Sequence, residues 1–311
     1  MSDLRKIAKE YLAMRRALGH RLVRFDAQLE RFISFLESKG ASFITVPLAL
    51  QWAQQPANVT MKTRTRRLDV VRGFARYLSA TDPRTQIPAT ALLPHDECRA
   101  KPYIYSEKEI LRLMEAAKGV PSPQGIRAQT YYCLIGLLAV TGLRVGEALK
   151  LRREDVDLGQ ALLTVHNSKF GKSRLVPLHP TTVEVLAEYA RRRDAFVGNA
   201  PVAGFFVTEP HKTSLTSSPV RSMFAKLSRN IGLRGPQERH GPRLHDIRHR
   251  FAVHTLLAWY RRGEDVERRL PVLSTFLGHE HIQNTYWYLS STPELLGAAS
   301  KRLEKRWEGQ R

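Results

Sequence analysis

The sequence between Leu244 and Leu289 contains the segments Leu244-His-Asp-Ile-Arg-His249, Leu277-Gly-His279 and Thr285-Tyr-Trp-Tyr288. Residues three apart on a helix are neighbours, which places His245 and Arg248 on one face. A tyrosine hydroxyl has a free pKa of about 10, and adjacent cations favour its ionised, nucleophilic form. Because the same cations can bind a phosphate, this stretch predicts attack by a tyrosine on a phosphodiester.

The charge balance of the chain points to a polyanionic partner. Its 311 residues include 50 lysines and arginines against 29 aspartates and glutamates, which gives a formal net charge of +21. Nucleic acid is the commonest partner of so basic a protein. A charged surface that only maintains solubility is the open alternative.

Cysteine content and hydropathy predict the compartment. Cys98 and Cys133 are too few for a disulfide framework, which favours a reducing environment. The longest apolar run, Cys133 to Val140, is much shorter than a membrane-spanning helix. The charged residues from Asp3 onward do not fit the apolar core of a signal peptide. We therefore expect a cytoplasmic protein with no membrane partner.

Helical spacing of apolar residues dominates the first part of the chain and predicts an all-α domain over residues 1–82. Its fourth helix, from about Thr60 to Leu78, carries a basic stripe opposite an apolar one. The stripe consists of Lys62, Arg66, Arg72 and Arg76. Such a helix suits binding along a DNA phosphate backbone, although a solvated face explains the pattern too.

Four prolines between Thr81 and Pro102 predict an extended linker over residues 83–104. A second domain, 105–292, follows, and Ser106 with Glu109 forms a capping box at its first helix. Two strands, 161–166 and 174–179, are predicted to flank a hairpin loop that contains Lys169 and Lys172. The remaining segments predict helices, so the fold class is mainly α with a small antiparallel β-sheet, or α+β.

Two segments near the C-terminus are harder to interpret. Residues 262–276 carry Pro271 and a run of charges, and we expect an enlarged loop there. Residues 293–311 predict a tail helix whose apolar stripe consists of Leu296, Ala299, Leu303 and Trp307. This stripe either covers the protein's own surface or docks on a neighbouring subunit, and we favour the second.

Transesterification at phosphorus needs a nucleophile, cations on the non-bridging oxygens and an acid for the leaving oxygen. Arg144 and Arg248 can each offer a forked, permanently charged set of donors. A lysine at the hairpin tip, Lys169 or Lys172, can protonate the leaving oxygen. Histidines can carry the tyrosine proton or donate to a phosphate oxygen.

Taken together and in this order, these segments resemble the tyrosine recombinase (phage integrase) family. The resemblance covers roughly Tyr105 to Leu289 and includes Thr141-Gly-Leu-Arg-Val-Gly-Glu-Ala-Leu149 and the hairpin ending in Arg174-Leu-Val-Pro-Leu178. It implies a two-domain clamp around double-stranded DNA with paired half-sites. It also implies a catalytic tetramer, homo- or hetero-oligomeric, and a covalent 3′-phosphotyrosyl intermediate. Because the carboxylates of the sequence form no cluster, we expect cleavage without a metal or other cofactor.

Carried over by position, the family's roles give Tyr288 as the nucleophile and Arg144 with Arg248 as the phosphate clamp. Lys169 becomes the general acid, although the hairpin reads Lys169-Phe-Gly-Lys172, which is less glycine-rich than usual in the family.

The resemblance further implies His245 as the proton acceptor and His279 as a donor to the phosphate, while Glu147 braces the site. A helical stripe of Ile282, Tyr286 and Leu289 predicts that Tyr286 is the packing residue and that Tyr288 faces the site.

Other classes of function fit less well. His245 and His249 have the spacing of a zinc protease motif, but Asp246 stands where that motif needs glutamate, and Arg248 would lie beside the metal. A metal-dependent nuclease needs clustered carboxylates, and a relaxing topoisomerase would act without paired sites. The alternative that stays open is a sequence-specific DNA-binding protein of the same fold without catalytic activity. We expect a recombinase or integrase of a mobile genetic element, associated with the nucleoid.

Overall fold

A computed structural model describes residues 3–20, 22, 25–55, 57–94, 101–166, 173–238, 240–289 and 292–308. Lys169 and Lys172 of the predicted hairpin loop lie outside these residues. The chain divides into two compact units, Met1–Ala100 and Lys101–Arg311. The division falls within the predicted linker.

The first unit is helical, as predicted. Its helices are α1 (Asp3–Ala17), α2 (Phe25–Ser38), α3 (Val46–Gln54) and α4 (Met61–Leu78). Hydroxyl side chains cap the last two, since Thr45 accepts from Leu48 N and Thr60 accepts from Thr63 N. Aromatic side chains, among them Phe32 and Trp52, are buried at the centre of the unit.

The first part of the predicted linker has no regular secondary structure, yet it packs on the first unit. Leu93 is buried in the helical core, and Gln86 N donates to Ile44 O at 2.8 Å. Residues 83–94 are therefore attached to the helices of the first unit.

The basic stripe predicted on α4 is wrong at one position, Arg72, which is buried. Its side chain is buried, donates to Pro88 O and Ala89 O at 2.8 Å each, and pairs with Asp69. On the helical wheel Arg72 lies at the edge of the basic arc, about 40° from the buried Leu68. Its guanidinium therefore holds the following segment and does not share the exposed face that was predicted for the stripe. The other members of the stripe, Lys62, Arg66 and Arg76, are exposed.

The second unit combines helices with one small sheet. Its helices are α5 (Glu107–Lys118), α6 (Ile126–Thr141), α7 (Val145–Ala148), α8 (Pro180–Val197), α9 (Ser217–Asn230), α10 (Leu244–Arg261), α11 (Val266–Leu277), α12 (Gln283–Leu289) and α13 (Pro293–Glu308). The capping box of Ser106 and Glu109 is present at α5. Among the described residues, no helix is long and apolar enough to cross a membrane.

The sheet is antiparallel in the order β1 (Val156–Asp157), β2 (Leu162–Val165), β3 (Arg174–Pro177). Both predicted strands are confirmed, with β1 as an additional short strand. Leu163 pairs with Val176, and both side chains are fully buried. This register fixes Arg174 at the start of β3.

Helix α11 replaces the loop expected over residues 262–276. Val266, Leu270, Leu273 and Leu277 form a buried stripe at helical spacing. Burying each apolar side chain contributes about 1.5–3 kcal/mol, which together outweighs a cost of about 3 kcal/mol for proline inside a helix. Pro271 is tolerated because it lies on the exposed side.

The tail helix is present as α13, but a different face of it is buried. Leu295 is fully buried among residues of α10, α11 and α12, and Arg302 Nη1 donates to Glu264 O at 2.7 Å. Leu296 and Trp307, from the stripe predicted to dock, are 53% and 67% exposed. The tail thus packs on its own unit through Leu295 and turns Leu296 and Trp307 outward.

Candidate active site

Three arginines converge on the last carbonyls of α11. A helix leaves its final carbonyl groups without intrahelical partners, so they need other donors. The bonds join Arg174 Nε to Phe276 O at 2.9 Å, Arg248 Nη2 to Leu277 O at 2.7 Å, and Arg144 Nη2 to Gly278 O at 3.0 Å. The end of α11 therefore holds side chains from three distant parts of the sequence.

The convergence of the three arginines explains why the Leu277-Gly-His279 segment contains a glycine. Gly278 caps α11 with φ +67°, a left-handed conformation that strongly favours glycine. A Cβ atom there would lie 2.6 Å from Arg174 Nη1. Both the turn and the space for Arg174 therefore require glycine.

Glu147 binds two of these arginines. Its carboxylate accepts from Arg144 Nη1 at 2.8 Å and from Arg174 Nη2 at 2.9 Å. Burial alone would raise the pKa of Glu147, but hydrogen bonds and charge from Arg174 and Arg144 lower it to about 2. The carboxylate is therefore ionised at neutral pH, and it positions both guanidinium groups.

Arg248 is a buried cation, only 2% exposed. In addition to Leu277 O, it donates through Nη1 to Gly142 O at 2.8 Å. Burial and the nearby charge of Arg144 lower the pKa of Arg248 to about 10, so it remains charged at neutral pH. Arg144 and Arg248 thus place two positive charges at the end of α11.

The hydroxyl group of Tyr288 lies against His249. His249 Nδ1 and Tyr288 Oη are 3.2 Å apart, and Tyr288 is 2% exposed. Burial and the neighbouring His245 lower the pKa of His249 to about 4. The imidazole is therefore neutral at neutral pH and can accept a proton from a phenol.

The two histidines predicted as site residues flank this pair. The ring of His245 packs edge-on against His249, with centroids 4.8 Å apart. His279 Nδ1 is 2.7 Å from Thr285 Oγ1, and its ring is stacked 6.1 Å from that of Tyr288. Burial together with the charges of the adjacent arginines lowers the pKa of His279 to about 3, so its ring is neutral too.

The prediction that Tyr286 packs inside and Tyr288 faces away from the buried stripe is wrong. Tyr286 is 46% exposed, whereas Thr285 and Tyr288 are buried against α10 and α11. Helix α12 has only seven residues, so its neighbours and not its own periodicity decide which face is covered. Tyr288 nevertheless lies next to His249 and His279.

The second unit therefore brings together all the described residues predicted for the catalytic site: Arg144, Glu147, His245, Arg248, His279 and Tyr288. Sequence reasoning missed the contributions of Arg174 and His249. Both stand inside segments that carried the resemblance, Arg174 after the hairpin loop and His249 directly after Arg248. Across the part of the chain that the structure describes, no group of three or more histidine, cysteine or carboxylate side chains forms a metal site.

This geometry combines two fixed cations with a phenol and a neutral imidazole. Two guanidinium groups can bind a phosphate through forked hydrogen bonds. The imidazole can take the phenol proton as the oxygen becomes a nucleophile. The arrangement is suited to nucleophilic attack on an anionic ester.

Comparison with known proteins gives the same assignment. Residues 104–294 match the model of the phage integrase family. A protein of Sinorhizobium fredii, y4rB, whose name as an integrase/recombinase is provisional, is 47% identical over 311 residues and 99% of both chains. The tyrosine recombinase XerD of Caulobacter vibrioides is 31% identical over 87% of this chain and 78% of its own.

The fold is also similar to that of a solved recombinase. The XerH site-specific recombinase, solved on its palindromic difH substrate after cleavage, superimposes with a TM-score of 0.67. The two share 20% identity, and the alignment covers 98% of this chain and 86% of XerH. With the fold, the site geometry and the family match in agreement, the chain belongs to the phage integrase family of tyrosine recombinases.

Proposed function

We propose that the chain is a site-specific DNA recombinase that cuts and rejoins strands through a covalent 3′-phosphotyrosyl intermediate. The observation that carries the proposal is the contact of the Tyr288 hydroxyl with His249, the residue that follows Arg248 in α10, while Arg248 and Arg144 both donate to carbonyls at the end of α11. A DNA-binding protein without catalytic activity has no use for two adjacent arginines, one of them buried, in the same site as a buried tyrosine.

In the proposed reaction the Tyr288 oxygen attacks the phosphorus while Arg144 and Arg248 bind its non-bridging oxygens. The bond from phosphorus to the 5′ oxygen breaks, and Lys169 gives that oxygen a proton. A strand is rejoined when a 5′ hydroxyl attacks the phosphotyrosine and the proton returns. One ester replaces another, so no cofactor is consumed.

The function is tested with a nicked DNA that traps the covalent intermediate. The binding site is first mapped as DNA protected near the protein's own gene. We expect the purified chain to form a covalent complex that resists denaturant, and to form it equally well in EDTA. Activity lost in EDTA and restored by magnesium would contradict the metal-independent mechanism, and stable binding without any adduct would favour the non-catalytic alternative.

His249 is the better candidate for the proton acceptor, the role that the family resemblance implies for His245. Its Nδ1 is 3.2 Å from Tyr288 Oη, and His245 packs on its outer side. We expect His249→Gln to slow adduct formation by about 10²-fold, the lower end of general-base effects. His245→Gln is the matched control in rapid-quench assays. A larger loss from His245→Gln would return the role to His245.

DNA with paired half-sites is the proposed partner, as the family resemblance implies, and XerH has been solved on a palindromic substrate. The chain would act as a homo- or hetero-tetramer on DNA in the nucleoid, on behalf of a mobile element. Exposed Lys62, Arg66 and Arg76, together with Lys172 outside the described residues, are the proposed phosphate contacts. These contacts would carry affinity without reading sequence.

We propose that the tail docks in trans through the outward face of α13, which carries Leu296 and Trp307. A double change of these residues to serine leaves Leu295 in its own core. It should therefore preserve folding and binding to one half-site, while gel assays show loss of paired-site complexes. Normal recombination by this variant would reject docking in trans. A Leu295→Ala protein, which we expect to lose stability by about 2–5 kcal/mol, is the control for packing in cis.

A further inference from the structure

Arg174 lies in the candidate site, but the proposed reaction gives it no role. It is the first residue of β3, and its side chain is only 10% exposed. Its Nη1 and Nη2 donate to the two oxygens of Glu147 at 3.2 and 2.9 Å, and Nε donates to Phe276 O. The guanidinium therefore joins the sheet to both α7 and the end of α11.

Glu147 is a single anion shared by two cations. Its Oε1 accepts from both Arg144 Nη1 and Arg174 Nη1, while Oε2 accepts from Arg174 Nη2 and from the backbone nitrogen of Arg144. Bonds between ionised partners are strong in a site with little water. A carboxylate that had Arg144 as its only cation would therefore compete with a phosphate for that cation.

We infer that Arg174 is a positioning residue that takes up much of the charge of Glu147 and so leaves Arg144 available to bind a phosphate. Two cations against one carboxylate leave one positive charge in excess, and Arg248 adds another. The inference rests on the proposed function, since the phosphate is that of the scissile DNA strand. Arg174 itself need not contact the DNA.

The inference predicts different behaviour for two substitutions. Arg174→Gln removes the charge, so Glu147 should draw Arg144 into a closer pair and slow adduct formation by about 10²-fold, the loss typical of one electrostatic contact. Arg174→Lys keeps the charge beside Glu147 and should recover at least ten-fold of that loss. Rates are measured on nicked DNA at saturating protein, so that weaker binding does not enter.

A second substrate separates the electrostatic role from a merely structural one. A methylphosphonate at the scissile position has no negative charge, so it depends less on a free cation. On this DNA we expect the rate of Arg174→Gln to lie within about ten-fold of the wild-type rate. The control is Arg152→Gln, which changes an exposed arginine of the same unit and should match the wild-type rate on both substrates.

Two results would overturn the inference. Equal losses on phosphate and methylphosphonate would mean that Arg174 only maintains the structure, and no loss on either would mean that Glu147 does not restrain Arg144. If Arg174→Gln fails to fold, Arg174→Lys is measured on the two substrates in its place. Equal losses on phosphate and methylphosphonate would again mean that Arg174 only maintains the structure. A wild-type protein without any adduct would instead reject the proposed function.

Discussion

Tyr288→Phe should bind DNA like the wild-type protein and form no covalent adduct at all. The change removes the one oxygen that would bond to phosphorus and keeps the ring that packs against His249 and Trp287. The hydrogen bond to His249 is lost as well, which costs about 1 kcal/mol of stability. Denaturing gels on nicked DNA report the adduct, and mass spectrometry of the DNA-linked peptide identifies its tyrosine.

Tyr286→Phe is the matched control, two residues away in the same short helix. Its hydroxyl lies on an exposed ring, so the change should leave the adduct unaltered and shift stability by no more than about 0.5 kcal/mol. Phosphate found on Tyr286, or cleavage by the Tyr288→Phe protein, would move the nucleophile to the exposed ring.

The error over these two tyrosines shows where sequence periodicity stops being informative. A long helix such as α4 repeats its buried face several times, and its limits were predicted within one residue. Helix α12 makes about two turns, and α10 and α11 decide which side it covers. Only tertiary contacts place Tyr288 inside.

Two other errors have a similar physical origin. The stripe that includes Leu270 and Leu273 was present in the sequence, but Pro271 and the surrounding charges obscured it. Arg72 lies on the basic side of α4 by angle alone. The acceptors that bury it belong to Pro88 and Ala89, which fold back onto the helix from beyond its end.

In the candidate site, too, the sequence predicted residue types but not the tertiary contacts that position them. Residue types, their order and the family resemblance were enough to name Arg144, Arg248 and Tyr288 as candidates, because the chemistry demands cations and a nucleophile. The anchoring of the arginines on successive carbonyls of α11 joins residues 29 to 134 positions apart. No local pattern encodes such bonds, so the positioning role of Arg174 emerges only from the fold.

That anchoring also bears on the proposed general acid, Lys169, which precedes Arg174 by five residues. An extended chain spans at most about 3.6 Å per residue, so five residues of chain reach at most about 18 Å, and a lysine side chain adds to that length. Arg174 is fixed beside Glu147 at the site. Lys172 is nearer still in sequence, so chain length permits either lysine to approach the leaving oxygen.

Lys169→Ala should therefore slow strand cleavage by ~10²–10⁴-fold, the usual cost of removing a general acid, while DNA binding changes little. The binding prediction follows because one lysine among many contributes only a small part of the phosphate contacts. Lys172→Ala is the matched control, since it removes an equal charge from the same loop.

A DNA with sulfur in place of the 5′ bridging oxygen separates the two lysines. Thiolate is a good leaving group and needs no proton, so Lys169→Ala should cleave this DNA at close to the wild-type rate. If sulfur instead rescues Lys172→Ala and not Lys169→Ala, the acid is Lys172. If neither variant is rescued, the loss lies in positioning of the DNA and not in protonation of the leaving oxygen.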